Sequence, residues 1–97
     1  MKVLQNFLDD KGCLKAYPSK HRLKIAALFY LASKFEPSKR YSEAEVNDLL
    51  RNWHTFEDWA MLRRELYNKR FINRAPDGST YWMEETQPTL ASFGWEE

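Results

Sequence analysis

The sequence has a single cysteine and few residues that break regular structure. Its 97 residues include 1 Cys, 3 Gly and 4 Pro. Because Cys13 has no partner, an intramolecular disulfide and a four-thiolate metal site are excluded, and a reducing cytoplasm fits this cysteine usage. No apolar run approaches the roughly 20 residues that span a bilayer. The amino-terminal stretch turns acidic at Asp9 and Asp10, too early for a secretory signal. We therefore expect a cytoplasmic protein with no membrane contact.

Catalytic and metal-binding patterns are also missing. The sequence contains no nucleophile elbow, no phosphate-binding loop and no paired-carboxylate motif. His21 and His54 lie too far from each other and from Cys13 for a metal site by spacing. The serines fit helix caps and turns better than nucleophiles. We expect no enzymatic activity and no cofactor.

The charges are sorted along the chain, although the net charge is only +1. Residues 11–40 carry +7 and residues 41–60 carry −4, followed by +3 over 61–80 and −4 over 81–97. A surface divided in this way suggests oriented contacts with a partner or a second subunit. The length supports one domain over residues 1–97.

Three main helices are predicted from apolar spacing and capping residues. The first covers 20–35, is capped by Ser19 and is apolar almost all round, so it is expected at the centre of the fold. The second begins at a Ser42–Glu45 capping box and ends near His54. The third covers 56–69. Its expected caps are Thr55 and Asp58, and its expected buried stripe is Phe56, Trp59, Leu62 and Leu66.

The third helix leads directly into a predicted β-hairpin. Strands 71–75 and 80–83 flank the turn residues Pro76-Asp77-Gly78-Ser79, where proline pre-sets a negative φ and glycine tolerates a positive one. A brief strand is predicted at 39–41, and a short helix at 1–9. This order predicts an α+β, winged-helix-like domain with three main helices, a C-terminal hairpin and an extra N-terminal helix.

The apolar residues outside this core form two flanks. Val3, Leu4, Phe7 and Leu8 lie on one face of helix 1–9, which most simply packs on its own core. Leu90, Phe93 and Trp95 make the tail 84–97 too apolar for a solvated end, so it folds back or reaches a neighbouring subunit. A homodimer through residues 3–8 and 90–95 is a further hypothesis.

Several short motifs together resemble one bacterial family, the domain of unknown function numbered 2087. The matching residues are Tyr17-Pro18-Ser19-Lys20, Phe35-Glu36-Pro37, Tyr41-Ser42-Glu43-Ala44-Glu45-Val46-Asn47 and Arg63-Arg64-Glu65-Leu66, with Arg74, Gly78, Tyr81 and Trp82. The resemblance covers 12–83. It implies a winged-helix-like domain with a regulatory role, found alone or fused to ArsR-type regulators. The family usually has glycine where this chain has Arg70, at the end of the third helix.

Under the alternative that the domain binds DNA, the contacts would be made by helix 56–69 and the wing 74–80. The outward face of the helix is predicted to carry Glu57, Met61, Arg64, Glu65 and Asn68. Arg64 and Asn68 suit base edges, with Met61 beside them and Arg74 on the hairpin. Glu57 and Glu65 would repel phosphates.

Two further groups of polar residues are candidates. Lys20, Arg22 and Lys24 form a basic group at the start of the first helix, which is either a solvated face or a site for an anion or acidic partner. Asn47, His54, Asp58 and Arg63 are predicted to form a structural polar network at the junction of the second and third helices, with Asp58 pairing Arg63 or His54.

Two functions remain open from the sequence. The first is a regulatory or protein-interaction domain associated with transcription regulation, with another regulatory protein as its partner. The alternative is direct DNA binding as a winged-helix transcriptional regulator.

Overall fold

The computed structural model describes residues 2–94, and this part of the chain folds into an α+β domain. Its elements in order are a 3-10 helix at Lys2–Phe7, α1 at His21–Ala32, α2 at Glu43–Arg51, α3 at Trp59–Asn68, β1 at Ile72–Arg74, β2 at Tyr81–Met83 and a 3-10 helix at Ala91–Phe93. Three helices followed by an antiparallel hairpin confirm the predicted α+β class and are compatible with the predicted winged-helix-like arrangement. Over the described range, no helix is long and apolar enough to cross a bilayer.

Helix α1 lies at the centre of the core, as its apolar sequence predicted. Ile25, Ala26, Ala27 and Leu28 are all buried, and four consecutive residues face different sides of a helix. The predicted cap at Ser19 is wrong. The backbone stays extended through Lys20, which occupies the N-cap position with ψ 134° and no side-chain cap bond. The serine therefore lies one residue too early to reach the first free N–H groups.

Helix α2 begins with the predicted capping box. The Ser42 hydroxyl accepts from the Glu45 N–H at 3.1 Å, and the Glu45 carboxylate accepts from the Ser42 N–H at 2.8 Å. Because these bonds stabilise the ionised carboxylate, they lower the pKa of Glu45. The helix ends at Arg51, earlier than predicted.

Helix α3 starts later than predicted, at Trp59 rather than at Phe56. Glu57 has a φ of 51°, which a right-handed helix cannot include. The cap is Asp58, whose carboxylate accepts a hydrogen bond from the Met61 N–H at 3.4 Å. Asp58 is one of the two predicted caps. Phe56 therefore lies outside the helix, where it is half-buried against the ring of His54.

The hairpin follows α3 almost at once. Its register pairs Ile72 with Met83, Asn73 with Trp82 and Arg74 with Tyr81. Gly78 takes a positive φ of 75° in the turn, as predicted. The predicted strand at 39–41 is reduced to one bridge, in which Tyr41 and Tyr81 exchange both backbone hydrogen bonds.

Both apolar flanks contact the core of their own domain. Leu4 is fully buried, while Val3 remains 50% exposed. Phe93 stacks on Phe71 with ring centroids 6.0 Å apart, so the tail folds back. Trp95 lies outside the described residues. Homodimerisation through 3–8 and 90–95 stays a prediction.

Candidate functional site

The most strongly basic concavity lies between α3 and the hairpin. Its volume is about 340 Å³, and we call it the arginine groove; its lining residues are Arg63, Arg64, Tyr67, Asn68, Arg74 and Tyr81. No carboxylate is among them. The groove forms because Leu62 and Leu66 turn inward and hold α3 against the core, leaving the opposite face beside β1 and β2.

Two residues on α3 give this groove its exposed polar groups. Arg64 and Asn68 are both exposed and stand one helical turn apart. They lie together, as the sequence predicted. Met61, predicted on the same outward face, is half-buried and packs against the core. That part of the prediction is wrong.

The guanidinium of Arg74 is held over an aromatic ring. It lies 4.9 Å from the ring centroid of Tyr67, a cation–π distance. Hydrogen bonds to two tyrosine hydroxyls raise the pKa of Arg74 above its ordinary value. The bond to Tyr81 has the larger effect and the bond to Tyr67 the smaller. Arg74 is therefore a fixed positive charge on the hairpin, facing the polar residues of α3.

Arg63 has a different environment from its neighbour Arg64. Its side chain is 19% exposed, and its guanidinium donates to the side-chain amide oxygen, Oδ1, of Asn47. A second nitrogen lies 3.8 Å from the Glu43 carboxylate, which also accepts from the Tyr81 hydroxyl at 3.4 Å. Arg63 thus ties α3 to α2 and to the hairpin. The sequence predicted Asn47 with Arg63 but missed Glu43 and Tyr81, which lie far away along the chain.

The predicted polar network is two separate pairs. His54 is 5% exposed. The Asp58 N–H donates to His54 Nε2 at 3.0 Å, so the proton is on Nδ1, which donates to the Leu50 carbonyl. Asp58 pairs with His54, one of its two predicted partners, but through its backbone N–H, while its carboxylate caps α3.

The two glutamates expected to repel phosphate lie elsewhere or are paired. Glu57 lies before α3 and lines a separate pocket with Arg51, His54, Thr55 and Trp59. Glu65 is half-buried, 3.8 Å from the Lys69 ammonium, and accepts from the Tyr17 hydroxyl at 3.3 Å. The predicted outward face therefore contributes no free carboxylate to the groove.

The basic group at the start of α1 is not part of the groove. Lys20 and Arg22 are exposed, and the Lys24 ammonium lies 5.8 Å from the Tyr17 ring centroid. The thiol of Cys13, on the loop before α1, donates to the Asn52 carbonyl at 3.2 Å. Among residues 2–94, no cluster of three or more His, Cys, Asp or Glu side chains is arranged to hold a metal ion.

The comparisons with known proteins give a family and no nearer relative. A family of bacterial proteins, described as "Uncharacterized protein conserved in bacteria (DUF2087)", matches residues 13–83. No curated protein and no solved structure matches the chain. The match covers most of the sequence. Its bounds, 13–83, nearly coincide with the range 12–83 in which the motifs resemble that family. The chain therefore belongs to the DUF2087 family of bacterial proteins.

Proposed function

We propose that this domain acts in transcription regulation and that it contacts duplex DNA through the arginine groove. The observation that carries the proposal is the convergence of Arg63, Arg64 and Arg74 on one open groove whose lining includes no carboxylate. Such a groove suits phosphates, because arginine recognises them through several fixed N–H donors. The proposed function is binding and includes no catalytic step.

The order of elements supports this assignment. A bridge at Tyr41 lies between α1 and α2, and α3 is followed by a hairpin that completes the small sheet. This is the order of a winged helix, in which the third helix enters the major groove and the hairpin touches the neighbouring backbone. In this arrangement α3 is the recognition helix and the hairpin is the wing.

The lining residues suit different contacts. Arg64 is matched in geometry to guanine and Asn68 to adenine, and both side chains are exposed. Arg74, on the wing, is placed for a phosphate, which fixes orientation without reading sequence. Arg63 is already bonded to Asn47, so we assign it a positioning role.

The charge balance near α3 favours the proposal. Glu65, the acidic residue on the groove-bearing helix, lies beside Lys69 and Tyr17 and is half-buried. Its repulsion of phosphate is therefore partly offset within the domain. The remaining charges of α3 are those of its arginines.

A salt titration of binding to random-sequence duplex DNA tests the proposal. We expect the logarithm of the association constant to fall linearly with the logarithm of salt concentration, with a slope of about −1 to −2, because Arg74 is assigned to a phosphate and Arg64 can neutralise a second one on random sequence. Selection from a random library should then enrich a preferred site. Absence of binding at low salt would contradict the proposal.

Protein interaction is the second candidate function. The observation that favours it is a larger open groove on the other edge of the hairpin, where Arg40 stacks on Trp82. A regulatory domain of this kind would bind another regulatory protein there, with or without DNA.

A further inference from the structure

A second open concavity lies beside β2, on the edge away from β1. It has a volume of about 540 Å³, and we call it the Trp82 groove; its lining residues are Pro37, Ser38, Arg40, Trp82, Met83, Glu84, Glu85 and Gln87. It shares no lining residue with the arginine groove. A ligand here would leave the proposed DNA-contacting side chains free.

The floor of the Trp82 groove is an open strand edge. In the hairpin, the Glu84 N–H bonds the Phe71 carbonyl and the Ala75 N–H bonds the Thr80 carbonyl. Because hydrogen-bonded pairs alternate in an antiparallel ladder, Met83 is a non-hydrogen-bonded partner of Ile72, and its N–H and C=O point to the opposite edge.

The segment that ends in the Tyr41 bridge does not cover the edge of β2 at Met83. Tyr41 pairs with Tyr81 through both backbone bonds, and the next pair along the ladder would join residue 39 to Met83. The chain instead turns away through Ser38, which has a φ of 66°. Over residues 2–94 no backbone group pairs with the Met83 N–H or C=O on this edge. An open edge of this kind is a template for another strand.

The side chains around the edge define what would fit. Trp82 and Met83 are half-buried, and Arg40 lies 4.3 Å from the Trp82 ring centroid. Glu84 is held by the Asn73 amide, which lies 3.4 Å from each carboxylate oxygen, and Glu85 is exposed. The groove lining therefore combines apolar side chains with two carboxylates and the guanidinium of Arg40.

We propose that the Trp82 groove binds an extended, basic peptide segment of a partner protein, which adds a strand beside Met83. One apolar side chain of the peptide packs against Pro37 and Trp82, while a lysine or arginine faces Glu84 and Glu85. Backbone bonds supply affinity and the alternate side chains supply selectivity, as in other strand-addition complexes. This inference stands independently of DNA binding.

Charge complementarity selects this occupant over two others. A second copy pairing through the same edge would bring its own Glu84 and Glu85 against the first pair, and like charges across a strand pair are unfavourable. The last residues of this chain, Glu96 and Glu97, have the same sign. A basic segment from a different protein has neither conflict.

The test uses a fluorescein-labelled peptide of alternating lysine and valine with the full-length chain. Its two matched controls carry N-methyl groups on all lysine amides or on all valine amides. Because alternate amides of a strand point the same way, only one methylated peptide should lose binding, by about tenfold or more. The Met83 amide should become protected from hydrogen exchange only with peptides that bind. Equal affinity of all three peptides would overturn the proposal.

Protein variants locate the site. Trp82→Ala and Glu85→Lys should each weaken binding by about tenfold. Asp10→Lys makes the same charge change as Glu85→Lys on a loop far along the chain, and it should bind nearly as the unmodified protein does. If Trp82→Ala does not fold, Trp82→Leu replaces it. Wild-type affinity in both groove variants would overturn the proposal. A second result would also overturn the proposal: light scattering without peptide shows a dimeric mass, and Trp82→Ala abolishes that dimer. This result would assign the groove to a second copy of the chain.

Discussion

The backbone N–H of Phe71 donates to the carbonyl of Leu66 at 2.9 Å, and this bond joins the end of α3 to the start of the hairpin. The Arg70 N–H makes the accompanying bond to the Tyr67 carbonyl at 3.1 Å. Together they form a Schellman motif, whose hydrophobic contact is the buried pair Leu66 and Phe71. The relative position of the two walls of the arginine groove depends on this motif.

Arg70→Gly is expected to stabilise the domain. Arg70 has a φ of 69°, the left-handed conformation that glycine adopts without strain. Relief of the strain, less the extra freedom of glycine in the unfolded chain, should raise the free energy of unfolding by about 0.5 kcal/mol. Urea denaturation measures this change in the free energy of unfolding. Arg70→Ala keeps the strain while removing the charge, so it should give no gain. A gain as large in Arg70→Ala would refute this account.

Arg64 and Asn68 are expected to carry sequence recognition. Arg64→Ala or Asn68→Ala should each weaken binding to the selected DNA site by about 1–3 kcal/mol and relax preference at one base position. Fluorescence anisotropy at a fixed salt concentration measures both effects. Lys20→Ala removes an equal charge outside the groove and should change affinity little. Tight binding at physiological salt by the Arg64→Ala, Asn68→Ala double variant would remove α3 as the recognition helix.

Arg63 and Arg64 are neighbours in sequence, yet the same substitution should destabilise the domain at Arg63 and leave its stability nearly unchanged at Arg64. Arg63→Met leaves the Asn47 side-chain oxygen and the Glu43 carboxylate without their cation, which should lower the free energy of unfolding by about 1–2 kcal/mol. Arg64→Met, at an exposed position, should stay within about 0.5 kcal/mol of the unmodified protein. Urea denaturation of both variants measures the two changes in the free energy of unfolding. Equal losses would mean that Arg63 is not a tertiary anchor.

Local signals in the sequence predicted much of the fold. The Ser42–Glu45 box and the Gly78 turn each depend on residues within four positions, so their chemistry is visible without a tertiary structure. The start of α3 was missed because Glu57 adopts a positive φ, for which a glutamate gives no warning.

The candidate site was predicted only in part. Helical periodicity placed Arg64 and Asn68 on one exposed face, but it gave no information on what lies beside each position. Met61 packs inward because the core reaches further around α3 than its apolar stripe indicates. The pairing of Glu65 with Lys69 has a sequence signal, an i to i+4 spacing of opposite charges on one helix. Tyr17, the other partner of Glu65, becomes visible only when α1 and α3 are brought together.

Tyr17 should make stability fall at alkaline pH. Burial, followed by the charge and hydrogen bond of Glu65, raises the pKa of the Tyr17 hydroxyl above its ordinary value of 10.0. The folded state therefore holds this proton more tightly than the unfolded chain does. The associated stabilisation is complete below pH 10 and decreases as the pH rises beyond that value. Thermal unfolding followed from about pH 8 to pH 11 should show a decline in Tm that is smaller in Tyr17→Phe, which has no proton to lose. Tyr67→Phe, at an exposed position, is the matched control and should keep the decline. A decline of the same size in Tyr17→Phe would show that the Tyr17–Glu65 contact does not stabilise the packing of the segment before α1 on α3.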